Sequence, residues 1–323
     1  MNITVPGSKI NISLVIRCCN EEQHIGKLLS GICQQKIGEV EIIVVDSGST
    51  DATLAIASRY PVKIIHIRPV DFTFGRALNI GCEAANGEII VISSAHVYPV
   101  YNDWLEKMSR YFSDDRVALV YGKQRGNEVS KYSEHRIFQK WFPDSSSGFQ
   151  SHPFCNNANA AIRRSVWKNL RYDENLTGLE DLDWAKRVLA EGYRLVYSAE
   201  AEIIHVHEET LVRILNRYRR EAIAMKAIFP DEKFSFFDFI KLFISNSIND
   251  LYYARHDRML MRKFGEIISF RLLQFYGTYR GYCQQGPITA QLKDRFYYPN
   301  QWKQIRGMTL SDAAMRKIDY TSL

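Results

Sequence analysis

Residues 40–53 read VEIIVVDSGSTDAT. Val40–Val45 is a short run dominated by β-branched residues, the composition of a strand buried on both faces. It runs into Asp46-Ser47-Gly48-Ser49-Thr50-Asp51, a stretch of turn-forming residues. Thr50 or Asp51 then suits the cap of a helix over Ala52–Tyr60. Strand, polar turn and capped helix follow one another without a linker, which is the opening of a β-α-β unit.

Working outward, the same alternation appears on both sides. Ile12–Ile16 is a β-branched run, and Glu21–Gln35 carries Ile25, Leu28, Leu29 and Ile32 at helical spacing. Downstream, Val62–Ile67 reads as a third strand and Arg76–Ala85 as a helix stopped by Asn86-Gly87. Glu88–Ile92 reads as a fourth strand. This order predicts an α/β fold with an open, mainly parallel sheet, whose ligands sit beyond the carboxyl ends of the strands. The segments after Ile16, Val45 and Ile92 are therefore the first to search for chemistry.

Near Thr210 the pattern becomes helical throughout. LVRILNRYRREAIAMKAIF, FSFFDFIKLFISNSINDLYYARH and FGEIISFRLLQFYGTYRGY each mix aromatic with basic residues. The expected organisation is an α/β domain over 1–210 and a basic, aromatic-rich helical region over 211–323 wrapped against it, with a polar tail over 286–323. Net charge follows the same division. The chain carries +6 overall, but residues 211–323 hold 19 Lys and Arg against 10 Asp and Glu, whereas the front is slightly acidic. A basic rear suits an anionic membrane surface, an anionic substrate or simple solvation of helices. No nucleic-acid motif or dense basic stripe accompanies it, so no nucleic-acid partner is expected.

Composition excludes several classes. With 46% hydrophobic and 24% charged residues in 323, the chain is neither disordered nor collagen-like. Six cysteines without a Cys-x-x-Cys pair argue against a disulfide scaffold or zinc ribbon. No run of about 18 apolar residues reads as a membrane span, and MNITVPGSKINISL lacks the form of a signal peptide. A reducing cytoplasm is the expected setting, with association at the inner face of the cell membrane in view.

The ordered set Asn20-Glu21-Glu22, VVDSGSTDAT, Gly75-Arg76-Ala77-Leu78-Asn79, a strand ending at Ser94-Ala95-His96, Asn157-Ala158-Asn159 and Glu180-Asp181 resembles family-two glycosyltransferases of the GT-A fold over about residues 10–230. Bacterial enzymes of surface-polysaccharide assembly are the nearest likeness. The resemblance implies a nucleotide-sugar donor, a saccharide or lipid-linked saccharide acceptor, and inversion at the transferred carbon. It assigns the nucleotide to Arg17, Asn20, Glu21, Asp46, Ser47, Gly48 and Arg76.

The family places Asp-x-Asp after the fourth strand to hold a divalent cation on the diphosphate. Here Ser94 and His96 stand at those positions. An imidazole and a hydroxyl are poorer partners for Mg²⁺ than two carboxylates, so Mn²⁺ or Mg²⁺ is expected with a changed ligand set. Ile203-Ile204-His205-Val206-His207 sends His205 and His207 to one face if extended, where the family uses a late histidine.

Transfer needs a base for the acceptor hydroxyl. The Glu180-Asp181 pair resembles the family's acceptor-side acids, with Asp181 as base and Glu180 beside it. Asn157 and Asn159 suit sugar hydroxyls because an amide both donates and accepts. His152, with Trp141, Phe142 and Phe154, suits an acceptor platform. Loss of the Asp-x-Asp acids also raises an alternative, a silent GT-A domain that binds a saccharide or a partner. The aromatic stretch Phe234–Tyr253 suits either a membrane interface or packing on the α/β domain, and the helical rear suits a homodimer contact.

Overall fold

The computed structural model describes residues 11–286 together with Thr289, Leu292, Phe296 and Tyr297; residues 1–10 and most of the polar tail lie outside the described residues. The alternation read from the sequence is present. Strand β1 (Ile12–Cys18) leads to helix α1 (Ile25–Cys33), β2 (Glu41–Asp46), α2 (Thr53–Ala57), β3 (Val62–His66), α3 (Phe74–Ala84) and β4 (Ile89–Ser94). Then follow β5 (Val97–Pro99), α4 (Trp104–Ser109), β6 (Val117–Arg125), α5 (Tyr132–Trp141), β7 (Asn159–Arg163), α6 (Arg164–Asn169), α7 (Glu180–Ala190) and β8 (Arg194–His205). Three longer helices close the described chain: α8 (Leu211–Ile228), α9 (Phe236–His256) and α10 (Leu260–Tyr282).

The strands form one mixed sheet in the order β3-β2-β1-β4-β7-β6-β8-β5. β1, β2, β3 and β4 run parallel. β7 is antiparallel to both β4 and β6, whereas β8 pairs parallel to β6. Successive residues of β1 and β2 enter opposite layers. Val15, Ile43 and Val45 pack under α3 and the Trp167–Trp184 side. Leu14, Ile16, Ile42 and Val44 pack under α1 and α4. Burial on both faces is why these strands read as unbroken apolar runs instead of alternating ones.

The C-terminal helices are tied to each other and to the sheet domain. A Cβ at Gly281 would come within 2.5 Å of the Arg219 carbonyl oxygen, so glycine allows α10 to lie against α8. Arg271 on α10 pairs with Asp250 on α9 through Nε–Oδ2 at 2.7 Å and Nη2–Oδ1 at 3.0 Å. Tyr132, at the start of α5, bonds Asp257 through its hydroxyl and Glu266 through its backbone N–H. All six cysteines are free thiols. Among the described residues, no helix is long and apolar enough to cross a membrane.

Candidate active site

Three groups of side chains gather at the carboxyl ends of β1, β2 and β4. The first is the turn after β2. Asp46 is only 1% exposed, and its carboxylate accepts the backbone N–H groups of Gly48 at 3.0 Å and Ser49 at 3.2 Å. Gly48 has φ +97°, a left-handed conformation that glycine adopts without strain. Asn20, also left-handed at φ 56°, accepts the Thr50 N–H through Oδ1 at 2.8 Å and donates its own N–H to Ser49 Oγ. Ser47 donates its N–H to the Cys18 carbonyl at 3.1 Å. Asp51 accepts the Thr53 N–H at 3.0 Å, but the N-cap of α2 is Ala52, so neither Thr50 nor Asp51 caps the helix as expected. Asp46, Ser47, Gly48 and Asn20 thus build one rigid edge, with Asp46 acting through the turn it orders.

The second group is a cluster of imidazoles. His96, in the turn after β4, donates from Nδ1 to Glu21 at 2.7 Å. His205 ends β8 and donates from Nδ1 to Gln124 at 2.8 Å. His207 donates from Nδ1 to Glu134 at 2.5 Å. Arg217 of α8 holds the same Glu134 oxygen at 2.8 Å. Each Nδ1 is held by an oxygen acceptor, and the Nε2 atoms of His205 and His207 lie 2.9 Å apart. Ligand atoms of His96, His205 and His207 all fall within 4.8 Å of one another. Burial and the neighbouring imidazoles push His205 well below its usual pKa, so its ring stays neutral with a lone pair available. Burial opposes ionisation of Glu134, but His207 and Arg217 outweigh it and lower its pKa to about 2. Ser94 closes β4 beside this cluster and is half-buried.

The third group surrounds Asp181 at the start of α7. Its carboxylate accepts the Asn157 N–H at 3.0 Å and the Leu182 N–H at 2.8 Å. Burial, and then the adjoining Glu180, raise its pKa to about 7. Glu180 is paired with Arg17 at 3.1 Å. The Arg17 guanidinium lies 4.9 Å from the centre of the Phe74 ring, and Arg220 of α8 lies 4.7 Å from the same ring. Asn157 is 2% exposed, and neither its amide oxygen nor its amide nitrogen has a hydrogen-bond partner among the described residues. A buried amide with both ends unpaired is costly unless a ligand completes it.

One residue expected at the site is placed otherwise. Asn159 is fully buried in β7; its oxygen accepts from Trp104 Nε1, and its nitrogen donates to the carbonyls of Lys123 and Ala201. It has no group left for a sugar, and it locks the sheet centre to α4. Arg76 is half-exposed and bonds Glu174 at 3.2 Å. His152 is exposed, beside Phe154. Of the basic residues on α8, Arg217 and Arg220 face the site, whereas Arg219 bonds Gln284. Phe142 belongs to the core, and Trp141 stacks on Phe154 at 4.7 Å between ring centres.

The geometry adds residues with no local mark in the sequence. Glu134 is a single acid on α5, and Gln124 one amide on β6. Glu209 sits with Glu134 and His207 in a second close trio; its signal was its place in the run His205-Val206-His207-Glu208-Glu209.

Comparison with known proteins sharpens this picture. The profile described as "Glycosyl transferase family 2" matches residues 13–171. Over that stretch the chain matches glycosyltransferase family 2. The O-antigen chain rhamnosyltransferase RfbN of Salmonella typhimurium is 28% identical to the transferase over 222 residues, covering 65% of this chain and 70% of that protein. The O-antigen chain rhamnosyltransferase WbaN of Salmonella anatum is 30% identical over 190 residues, or 55% and 60% of the two chains. Among solved structures, the mannosyltransferase PcManGT from Pyrobaculum calidifontis, in complex with GDP-Man and Mn²⁺, superposes with a TM-score of 0.59 at 16% identity. That match covers 91% of this chain and 89% of that one. The fold is GT-A, and the transferase is a nucleotide-sugar-dependent enzyme.

Proposed function

We propose that the transferase moves a sugar, with inversion, from a nucleoside-diphosphate donor to a hydroxyl of a saccharide acceptor carried on a lipid, in bacterial surface-polysaccharide assembly. The observation that carries this reading is the buried Asp181, tuned to about 7 beside the unpaired amide of Asn157. A carboxyl group poised near neutrality is suited to take a hydroxyl proton. The named activities of the two Salmonella relatives make a rhamnose donor the first to test.

The roles follow from position. The turn ordered by Asp46, with Asn20, Ser47 and Gly48, supports the nucleotide at the ends of β1 and β2. Arg17, fixed by Glu180 and by the Phe74 ring, brings positive charge beside the base and stabilises the departing diphosphate. Asn157 takes hydroxyls of the transferred sugar. Asp181 accepts the acceptor proton while the acceptor oxygen attacks from the face opposite the leaving group. The exposed face of α9 and α10 lies on the anionic inner surface of the cell membrane, where a lipid-linked acceptor is presented.

His96, His205 and His207 fit a divalent cation. Their Nε2 atoms, with Nδ1 held by Glu21, Gln124 and Glu134, follow the usual second-shell arrangement of histidine ligands. An imidazole set favours a first-row transition ion over Mg²⁺, which prefers oxygen ligands. Mn²⁺ bound there would neutralise charge on the donor diphosphate.

The test is a donor screen with UDP-, GDP-, dTDP- and CMP-sugars, dTDP-L-rhamnose among them, in Mn²⁺, Mg²⁺ or EDTA. The expected result is slow release of nucleotide from one donor, faster with Mn²⁺ than Mg²⁺. Asp181→Asn should lower transfer by about 10²–10⁴-fold while donor binding persists. A protein that binds no donor, or an Asp181→Asn variant as active as wild type, overturns the reading.

A further inference from the structure

Behind the imidazole cluster, α5 meets α9 and α10 around a crevice of about 410 Å³. Its size falls in the range of small-molecule sites, and its lining is specific in charge and shape. Arg271 and Asp250 at its base form a buried pair and cancel one another. Arg136 and Lys140 have no carboxylate partner among the described residues. The Arg136 Nε–H is buried and unpaired, and its guanidinium lies 3.5 Å from the centre of the Tyr253 ring. The crevice therefore carries two uncompensated positive charges. Beside them stand the ring of Trp141 and the amides of Asn249 and Gln274. Aromatic faces with amide groups match the apolar faces and hydroxyls of a sugar.

We propose that this crevice seats an anionic sugar residue, its acid group between Arg136 and Lys140 and its ring against Trp141. Trp141 lines the crevice and also stacks on Phe154, three residues before Asn157, whose N–H holds Asp181. The same helix turns Glu134 and Phe138 towards the imidazole cluster. A saccharide anchored here extends along the Phe154–Asn157 segment to the base. As a role in acceptor binding this rests on the transfer reading above; as a binding site it does not.

Calorimetric titration of the full chain tests the site without any donor. The probes are glucose 1-phosphate, glucuronate, glucose and inorganic phosphate. Tight binding of glucose 1-phosphate assigns the anion to a sugar phosphate, and tight binding of glucuronate to an acidic sugar. In either case glucose and phosphate alone bind at least about tenfold more weakly. Arg136→Gln/Lys140→Gln, or the exposed Lys140→Gln alone should the double variant fold poorly, weakens the bound probe about tenfold. His207→Ala leaves it unchanged, which separates the crevice from the diphosphate site. The proposal is overturned if neither acidic sugar binds, if phosphate alone binds as well, or if the crevice variants bind as wild type does. Donor hydrolysis without acceptor persists in these variants if the transfer reading holds, so the two readings fail separately.

Discussion

At the scale of single residues, the surroundings of Asp181 carry its titration towards neutral pH. Burial disfavours its charged form, and Glu180 adds a second negative charge beside it. Two consequences have opposite value. As the proposed base it must be ionised, so kcat/KM should rise with pH through about 7 and then level. For stability, the folded protein holds this proton more tightly than the unfolded chain does. Its favourable contribution is complete below the ordinary carboxyl range and is lost as pH rises through the folded value. Asp181→Asn keeps the shape and removes the charge. We expect it to raise Tm by about 2–5 °C at pH 8 and by clearly less at pH 5, where only part of the contribution has been lost. Thermal melts at the two pH values check this; an equal shift at both would contradict a buried, strained carboxylate. Asn157 shows the limit of reading side chains from spacing. It and Asn159 are two apart and look equivalent in the sequence. Only Asn159 lies in β7, where pairing with Ser93 fixes it in the core, whereas Asn157 precedes the strand and stays at its open end.

At the scale of elements, α5 does the most that no motif announces. One side gives Glu134 to His207 and Arg217, and another gives Arg136 and Lys140 to the crevice. Glu134→Gln keeps an acceptor for the His207 N–H but removes the charge that makes its ring a better ligand. Mn²⁺ affinity should fall about 10–100-fold, measured by electron paramagnetic resonance titration; unchanged affinity would place the ion elsewhere or remove it. The strands and the turn after β2 were legible because their causes are local. Two-faced burial writes a continuous apolar run, and a tight turn writes Asp, Ser and Gly. The acid-amide support of the imidazoles was not legible, since Glu134 is 73 residues from His207 and Gln124 is 81 from His205. Such partners meet only once β6, α5 and β8 are side by side. The turn also shows that an acid in a matching motif can act on its own backbone: Asp46 is enclosed by the amides it orders.

At the scale of the whole molecule, the basic rear acquires a direction. α9 buries Phe239, Ser247, Asp250 and Ala254 but turns Phe237, Ile244, Ile248 and Tyr252 outward, and Lys241 and Arg255 are exposed among them. Met261, 93% exposed, continues this surface on α10 with Phe264 and Leu272, beside exposed Arg258 and Arg262. Apolar side chains in the company of cations match a bilayer with anionic headgroups, since the former enter the interface and the latter meet phosphate. A contact between two copies would instead bring these like charges together. The transferase should therefore sediment with vesicles containing 30% phosphatidylglycerol and much less with pure phosphatidylcholine. With each cation near the surface worth about 1 kcal/mol, 0.5 M salt should release most of it. Phe237→Ser/Ile248→Ser should weaken vesicle binding at least about tenfold yet leave donor hydrolysis intact, because both side chains point outward from α9 into solvent. Equal binding to both lipids that ignores salt and the substitutions would remove the membrane from this face. A dimer in solution that the same substitutions split would assign the face to a second copy.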